Sequence, residues 1–235
     1  MPNTAGSQTE CTLSIELRLH YDVHRPPTNA PRPLLLALHG YGGSKRQMMR
    51  EAKQLAPDDF VIVAPQGIYQ HIREPREQGA PLRYGFGWLT NFQPEESVTL
   101  HHDALLRIIA DLTADGLVDS RRVFLLGFSQ SCALNYRFAF THADVLRGVV
   151  GICGGLPGDW ETSAAYRETA ASVLNLSGAR DEFYPPARTN LYESQLAQRA
   201  QDVECKTYDD AAHEITPAMR NDVRAWLARA GCSVQ

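Results

Sequence analysis

Hydrophobic positions along the chain fall into three patterns. Short continuous apolar runs occur at Leu34–Leu38, Phe60–Ala64 and Val123–Leu126, and mostly apolar stretches at Leu146–Cys153 and Val173–Leu176 read as further strands. Runs this short suit strands buried on both faces. Segments with apolar residues on one face predict helices over Ser44–Ala56, over Val98–Asp115 with Ser97 as cap, over Cys132–Thr141, over Pro186–Ala200, and from Thr216 or Pro217 to about Ala230. Strict alternation at Leu13–Tyr21 and Val203–Tyr208 predicts two outer strands. Strand and helix therefore alternate, which predicts an α/β fold with a mostly parallel sheet covered by helices on both faces.

Two stretches depart from this rhythm. His24–Pro33 is rich in proline and reads as a loop. Residues 66–96 carry Gly67, Pro75, Gly79, Pro81, Gly85, Gly87 and Pro94, interleaved with Tyr69, Tyr84, Phe86, Trp88 and Phe92. A loop this long in a compact domain calls for a function, and its aromatic content argues for order. It is expected to lie over a site. Residues 1–12 read as a polar tail and 13–235 as one domain.

Composition narrows the class. With 235 residues and a formal net charge of −4, the chain can bury a full core and carries no basic footprint for nucleic acid. No apolar run reaches membrane-spanning length, and no signal peptide is visible. Its five cysteines, at 11, 132, 153, 205 and 232, are odd in number and scattered. That spacing supports neither a disulfide framework nor a zinc site, so reduced thiols in a cytoplasmic protein are expected. Cys132 and Cys153 read as small core residues.

Four predicted strands end in glycine-rich or polar punctuation: His39-Gly40-Tyr41-Gly42-Gly43, Gly127-Phe128-Ser129-Gln130, Ser177-Gly178-Ala179-Arg180-Asp181, and Asp209-Asp210-Ala211-Ala212-His213. In a parallel sheet these carboxyl ends share one edge, where ligands bind. Tyr41, Ser129, Asp181 and His213 are therefore expected to be neighbours. A strand that turns into a helix at Gly127-Phe128-Ser129-Gln130-Ser131 exposes the serine as a nucleophile, with Ser131 where a closing glycine is usual.

The strand–serine–helix elbow, the upstream H-G-x-G loop and the order serine, acid, histidine resemble an α/β-hydrolase. The match runs from about Leu34 to Leu227. Within that superfamily the chain is similar to the phospholipase/carboxylesterase group, the acyl-protein thioesterase-like family. The motifs concerned are L-H-G-Y-G-G at 38–43, A-P-Q-G at 64–67, G-W at 87–88, G-F-S-Q at 127–130, G-A-R-D-E-F-Y-P at 178–185 and H-E-I at 213–215. The resemblance implies Ser129 as nucleophile, His213 as general base and acid, and Asp181 holding the imidazole tautomer. It implies an oxyanion hole from the backbone N–H groups of Gln130 and Tyr41, with Gly42 the alternative to Tyr41.

Asp159, Asp209 and Asp210 compete for the acid's place. Asp181 is favoured because it follows a buried strand and precedes the histidine, while Asp209 and Asp210 shape the loop carrying His213. His39 is expected to brace the glycine loop. His101 and His102 are adjacent on a helix and do not share a face, which argues against a metal site. The family often has glycine before the histidine; here it is Ala212. Ser131 reads as a packing substitute for glycine. Gly42, Trp88, Leu156 and Phe183, with Tyr41, are expected to bind substrate in an apolar acyl pocket, with no large cap domain above it.

The expected activity is hydrolysis of carboxylic esters of short to medium acyl chains through an acyl-enzyme, with a small-molecule ester as partner, no cofactor and no membrane insertion. Thioester or lysophospholipid hydrolysis uses the same triad. A peptidase or a non-catalytic receptor on the same scaffold is the further alternative, and either monomer or homodimer is compatible with the sequence.

Overall fold

Leu34–Leu38 and Val123–Leu126, the most apolar runs, lie side by side at the centre of a seven-stranded sheet. The computed structural model describes residues 9–28, 30–73 and 79–232. In chain order its elements are β1 (Tyr21–His24), β2 (Arg32–Leu38), α1 (Lys45–Leu55), β3 (Val61–Pro65), β4 (Tyr69–Arg73), β5 (Arg83–Gly87), α2 (Pro94–Ala114) and β6 (Val118–Phe128). There follow α3 (Gln130–Thr141), β7 (Gly148–Ile152), β8 (Ser172–Gly178), α4 (Pro186–Thr189), α5 (Tyr192–Leu196), β9 (Val203–Tyr208) and α6 (Pro217–Cys232).

The strand order is β1-β3-β2-β6-β7-β8-β9. Every neighbouring pair is parallel except β1 with β3. Successive side chains of a strand point to opposite faces, and β2 shows the consequence. Leu34, Leu36 and Leu38 join the core shared with α2, α3 and α5, while Leu35 and Ala37 join the core under α1 and α6. No large cap follows β7 among the described residues.

Four expectations are corrected. The alternating segment Leu13–Tyr21 enters the sheet only at Tyr21, and Leu13 and Ile15 are exposed. Its partner β3 ends at Pro65, opposite Tyr21, and the ladder closes with Gln66 N–H donating to the His20 carbonyl at 2.8 Å. Among the described residues, alternation N-terminal to that point has no strand to pair with.

The long helix α2 starts at Pro94 rather than after a Ser97 cap. Proline at the first position is preorganised for helix, and Glu95 and Glu96 suit the positive end of the dipole. Ser97 is buried instead, its hydroxyl 2.9 Å from that of Tyr69.

The single helix expected over Pro186–Ala200 is two short ones, α4 and α5. The stretch 66–96, expected as a loop, contains the antiparallel hairpin β4–β5; residues 74–78 lie outside the described ones, as do residues 1–8 of the expected tail. The hairpin pairs with the glycine loop: Gly42 N–H donates to Phe86 O at 2.9 Å and Phe86 N–H to Gly43 O at 3.2 Å.

His101 and His102 are both buried in α2. His101 Nε2–H donates to Asn135 Oδ1 at 3.2 Å and its ring meets Trp88 edge-on. Burial lowers the pKa of His101 to about 3 and that of His102 to about 4. The unfolded chain takes up protons below its ordinary imidazole pKa of about 6.5 while the folded protein does not, so stability falls as pH falls from there towards 4. His101 alone is expected to cost about 2 kcal/mol at pH 5 relative to neutral pH. Thermal melts at pH 7.5 and 5 check this: His101→Gln should shrink the drop in Tm, and an unchanged drop would contradict it.

Candidate active site

The turn from β6 into α3 is tight enough to force Ser129 to φ 58° and ψ −118°. A side chain at positive φ is strained by on the order of 1–3 kcal/mol, and the surroundings hold it there. Ser129 N–H donates to Ile152 O at 3.0 Å, and Cys132 N–H donates to Ser129 O at 3.0 Å. Gly127 permits the helix to return close to the strand, because a Cβ there would sit 2.7 Å from Asn135 Nδ2.

Ser131 does more than replace a glycine. Its fully buried hydroxyl accepts from Phe128 N–H at 3.0 Å. Its own proton goes to the Leu38 or the Phe128 carbonyl, 2.9 and 3.0 Å away. It closes the elbow and ties it to the end of β2.

His213 Nε2 lies 2.9 Å from Ser129 Oγ, and His213 Nδ1 lies 2.9 Å from Asp181 Oδ2. The other carboxylate oxygen of Asp181 accepts from Phe183 N–H at 2.9 Å and Tyr184 N–H at 3.0 Å. These bonds fix the carboxylate, which is buried, and orient it on the imidazole. A carboxylate on Nδ1 keeps the proton there and leaves the Nε2 lone pair facing the hydroxyl, as proton abstraction requires.

The rival acids are engaged elsewhere or far out. Asp159 pairs with Arg137, and the exposed Asp210 pairs with Arg180. The loop bearing His213 packs on the loop bearing Asp181, with Arg180 N–H donating to Ala211 O at 2.9 Å. A Cβ on Gly178 would collide with the Ala211 and Ala212 carbonyls, so the close approach is secured at Gly178 while residue 212 is alanine.

Cys153 was legible only as a small core residue, but it also braces this loop. It sits just after β7 at φ 47°, and its thiol donates to Glu214 O at 3.4 Å, immediately past His213. Burial pushes its pKa up to about 12, so it stays a thiol at neutral pH.

The glycine loop faces the elbow. Gly42 N–H is taken by Phe86 O, and Gly43 N–H donates to Gly40 O at 3.0 Å. Among the described residues, the backbone N–H groups of Tyr41 and Gln130 have no protein acceptor. His39 holds the loop from below: Nδ1–H donates to Gly40 O at 2.8 Å and Nε2 accepts from Gly67 N–H at 3.0 Å. Accepting at Nε2 needs a neutral ring, and burial lowers the His39 pKa accordingly.

The expected acyl pocket is only partly assembled. Trp88 is 1% exposed, and its Nε1–H donates to His39 O at 2.8 Å, so it supports the glycine loop from within the core. Leu156 is likewise buried in the core shared with α3 and α5. The exposed aromatic side chains near Ser129 and His213 include Phe183, 63% exposed with its ring 4.8 Å from that of His213, and Tyr41, 65% exposed and stacked on His71. Gly42 takes φ 76° and serves the loop's shape and the hairpin contact. Gln130, expected for its N–H, also accepts from Trp88 N–H at 2.9 Å through its side chain. Among the described residues no helix is long and apolar enough to cross a membrane.

Comparison with known proteins agrees with this architecture. Residues 21–230 match the phospholipase/carboxylesterase family model. The chain is 29% identical over 174 residues to NocK of Nocardia uniformis subsp. tsuyamanensis, a protein named as an esterase; the match covers 72% of this chain and 45% of NocK. The chain thus spans under half the length of that relative. Among solved structures it is similar in fold to esterase PE8, with TM-score 0.73, 19% identity, and 91% of this chain and 100% of that one covered. The Bacillus cereus carboxylesterase gives TM-score 0.71 and 16% identity over 90% of this chain and 94% of its own. The phospholipase/carboxylesterase from Dyadobacter fermentans DSM 18053 gives 0.69 and 20% over 90% and 97%. The chain adopts the α/β-hydrolase fold and belongs to the phospholipase/carboxylesterase family.

Proposed function

We propose that the protein is a serine hydrolase that cleaves carboxylic esters of short to medium acyl chains through an acyl-enzyme. The observation that carries this reading is the continuous hydrogen-bonded chain Asp181–His213–Ser129, with 2.9 Å at each link. His213 Nε2 takes the Ser129 proton as Oγ attacks the ester carbonyl carbon. The oxyanion forms against the N–H groups of Tyr41 and Gln130. His213 then returns the proton to the alcohol oxygen as the carbon–oxygen bond breaks. Water, deprotonated by the same imidazole, releases the acid.

Three features support a site that works without cofactor. The nucleophile is held in a strained turn, the base has a buried carboxylate partner, and two N–H groups remain available on the loops flanking Ser129. Tyr41 is preferred over Gly42 as oxyanion donor because the Gly42 N–H already has the Phe86 carbonyl. Among the described residues no cap covers Phe183, which suits compact acyl groups or an acyl chain presented on a larger partner.

Turnover of p-nitrophenyl esters of increasing acyl length tests the reading. Hydrolysis is expected, with kcat/KM highest at short to medium chains. No hydrolysis of any ester or thioester by folded protein would overturn it in favour of a non-catalytic scaffold.

A further inference from the structure

A cavity of about 370 Å³ lies between the starts of α1 and α6; Ser129 and His213 do not line it themselves but adjoin it through their chain neighbours Phe128 and Glu214. Its volume falls at the small end of the range for small-molecule sites. Tyr41 from the glycine loop, Met48 and Glu51 from α1, Phe128 from the elbow, Ile215 after His213, and Arg220 from α6 line it, with Glu214. It thus borders three parts of the reaction centre. Tyr41 carries the oxyanion N–H, the Phe128 ring lies 5.0 Å from the His213 ring, and Glu214 and Ile215 continue directly from His213.

Acylation ends when the proton on His213 Nε2 passes to the departing alcohol oxygen, so the alcohol must lie on the imidazole's side of Ser129. This cavity is bounded by the imidazole's own loop. Phe183 and Tyr184 pack on the His213 ring at 4.8 and 5.9 Å and do not line it. They are left for the acyl half.

The charge of the lining selects among alcohols. Arg220 is already neutralised: its Nε and Nη2 both donate to Glu51 Oε2, at 3.0 and 2.8 Å. Glu214, exposed at the rim, adds a second carboxylate, so two acids face one base. The remaining walls combine Met48, Phe128, Ile215 and Tyr41 with the uncharged polar side chains of Gln47 and His39. A small cation with an apolar shell fits such a lining, through carboxylate attraction and the aromatic face. An anionic headgroup meets repulsion.

Resting on the serine-hydrolase reading above, we propose that this cavity is the leaving-group subsite and that it favours esters of compact, positively charged amino alcohols.

Three butyrate esters of similar shape test this: butyrylcholine, its uncharged isostere 3,3-dimethylbutyl butyrate, and the anionic 2-sulfoethyl butyrate. All three give the same butyryl-enzyme, so deacylation is common to them and leaving-group recognition appears in kcat/KM. The expected order is cation, neutral, anion, with the cation at least tenfold ahead of its isostere at low salt. The double variant Glu51→Gln with Glu214→Gln leaves Arg220 as the cavity's charge and should bring the cation-to-neutral ratio below one. That ratio is taken within one protein, so a general loss of activity does not mimic the result. Hydrolysis of p-nitrophenyl butyrate with no charge preference among the three esters, or an unaltered ratio in the double variant, would overturn the subsite and leave the hydrolase reading standing. No turnover of any ester would remove both.

Discussion

Ser129→Ala is expected to lower kcat for a short-chain ester by about 10⁴-fold or more, with KM little changed. The substitution removes the hydroxyl that lies 2.9 Å from His213 Nε2. Ser131 is the nearest replacement in sequence, but it is fully buried and its hydroxyl serves Phe128 N–H and the Leu38 or Phe128 carbonyl. It has no path to the imidazole. Ser131→Ala should therefore act mainly on stability, by about 1–3 kcal/mol for the donor it leaves unpaired. Steady-state kinetics and melts of both variants check the pair. Activity retained in Ser129→Ala and lost in folded Ser131→Ala would move the nucleophile.

The second large effect is expected at the acid. Asp181→Asn preserves size and leaves an oxygen to accept from Phe183 and Tyr184. It places an NH₂ opposite His213 Nδ1, where the carboxylate accepted at 2.9 Å. An amide donor there drives the ring to the tautomer protonated on Nε2, which has no lone pair for the Ser129 proton. A loss of about 10³- to 10⁴-fold in kcat is expected with little change in KM or Tm. The measurement is kcat across pH 6–9 beside a thermal melt. Near-native kcat would show that another group orients His213.

The parallel sheet and the meeting of Ser129, Asp181 and His213 were legible because each rests on a local signal that tertiary context does not reverse. Leu34–Leu38 and Val123–Leu126 are apolar at every position, and only a strand covered on both faces absorbs such runs. Ser129, Asp181 and His213 each follow a strand, and strand direction alone places them on one edge. Alternation at Leu13–Leu19 carried no such guarantee, because pairing depends on how far β3 extends.

The hairpin β4–β5 was hidden for a related reason. Tyr69–Arg73 and Arg83–Gly87 are polar, aromatic and glycine-containing, and their pairing is secured by contact with the glycine loop. Gly85 shows the constraint: a Cβ there would lie 2.7 Å from Gly42 Cα. Trp88 read as a pocket residue because large aromatics near a site often touch ligand, and its bond to the His39 carbonyl across 49 residues leaves no trace in the local sequence. Cys153 is similar: small and apolar by composition, it meets the His213 loop only in three dimensions.

One serine, Ser129, is expected to form the covalent intermediate. Labelling the intact protein with a fluorophosphonate, followed by mass spectrometry of the protein and its peptides, tests this most directly. One adduct per chain, on Ser129, with activity lost in proportion to labelling, is the predicted result. An adduct on another residue, or full ester hydrolysis by protein that takes up no label, would contradict it.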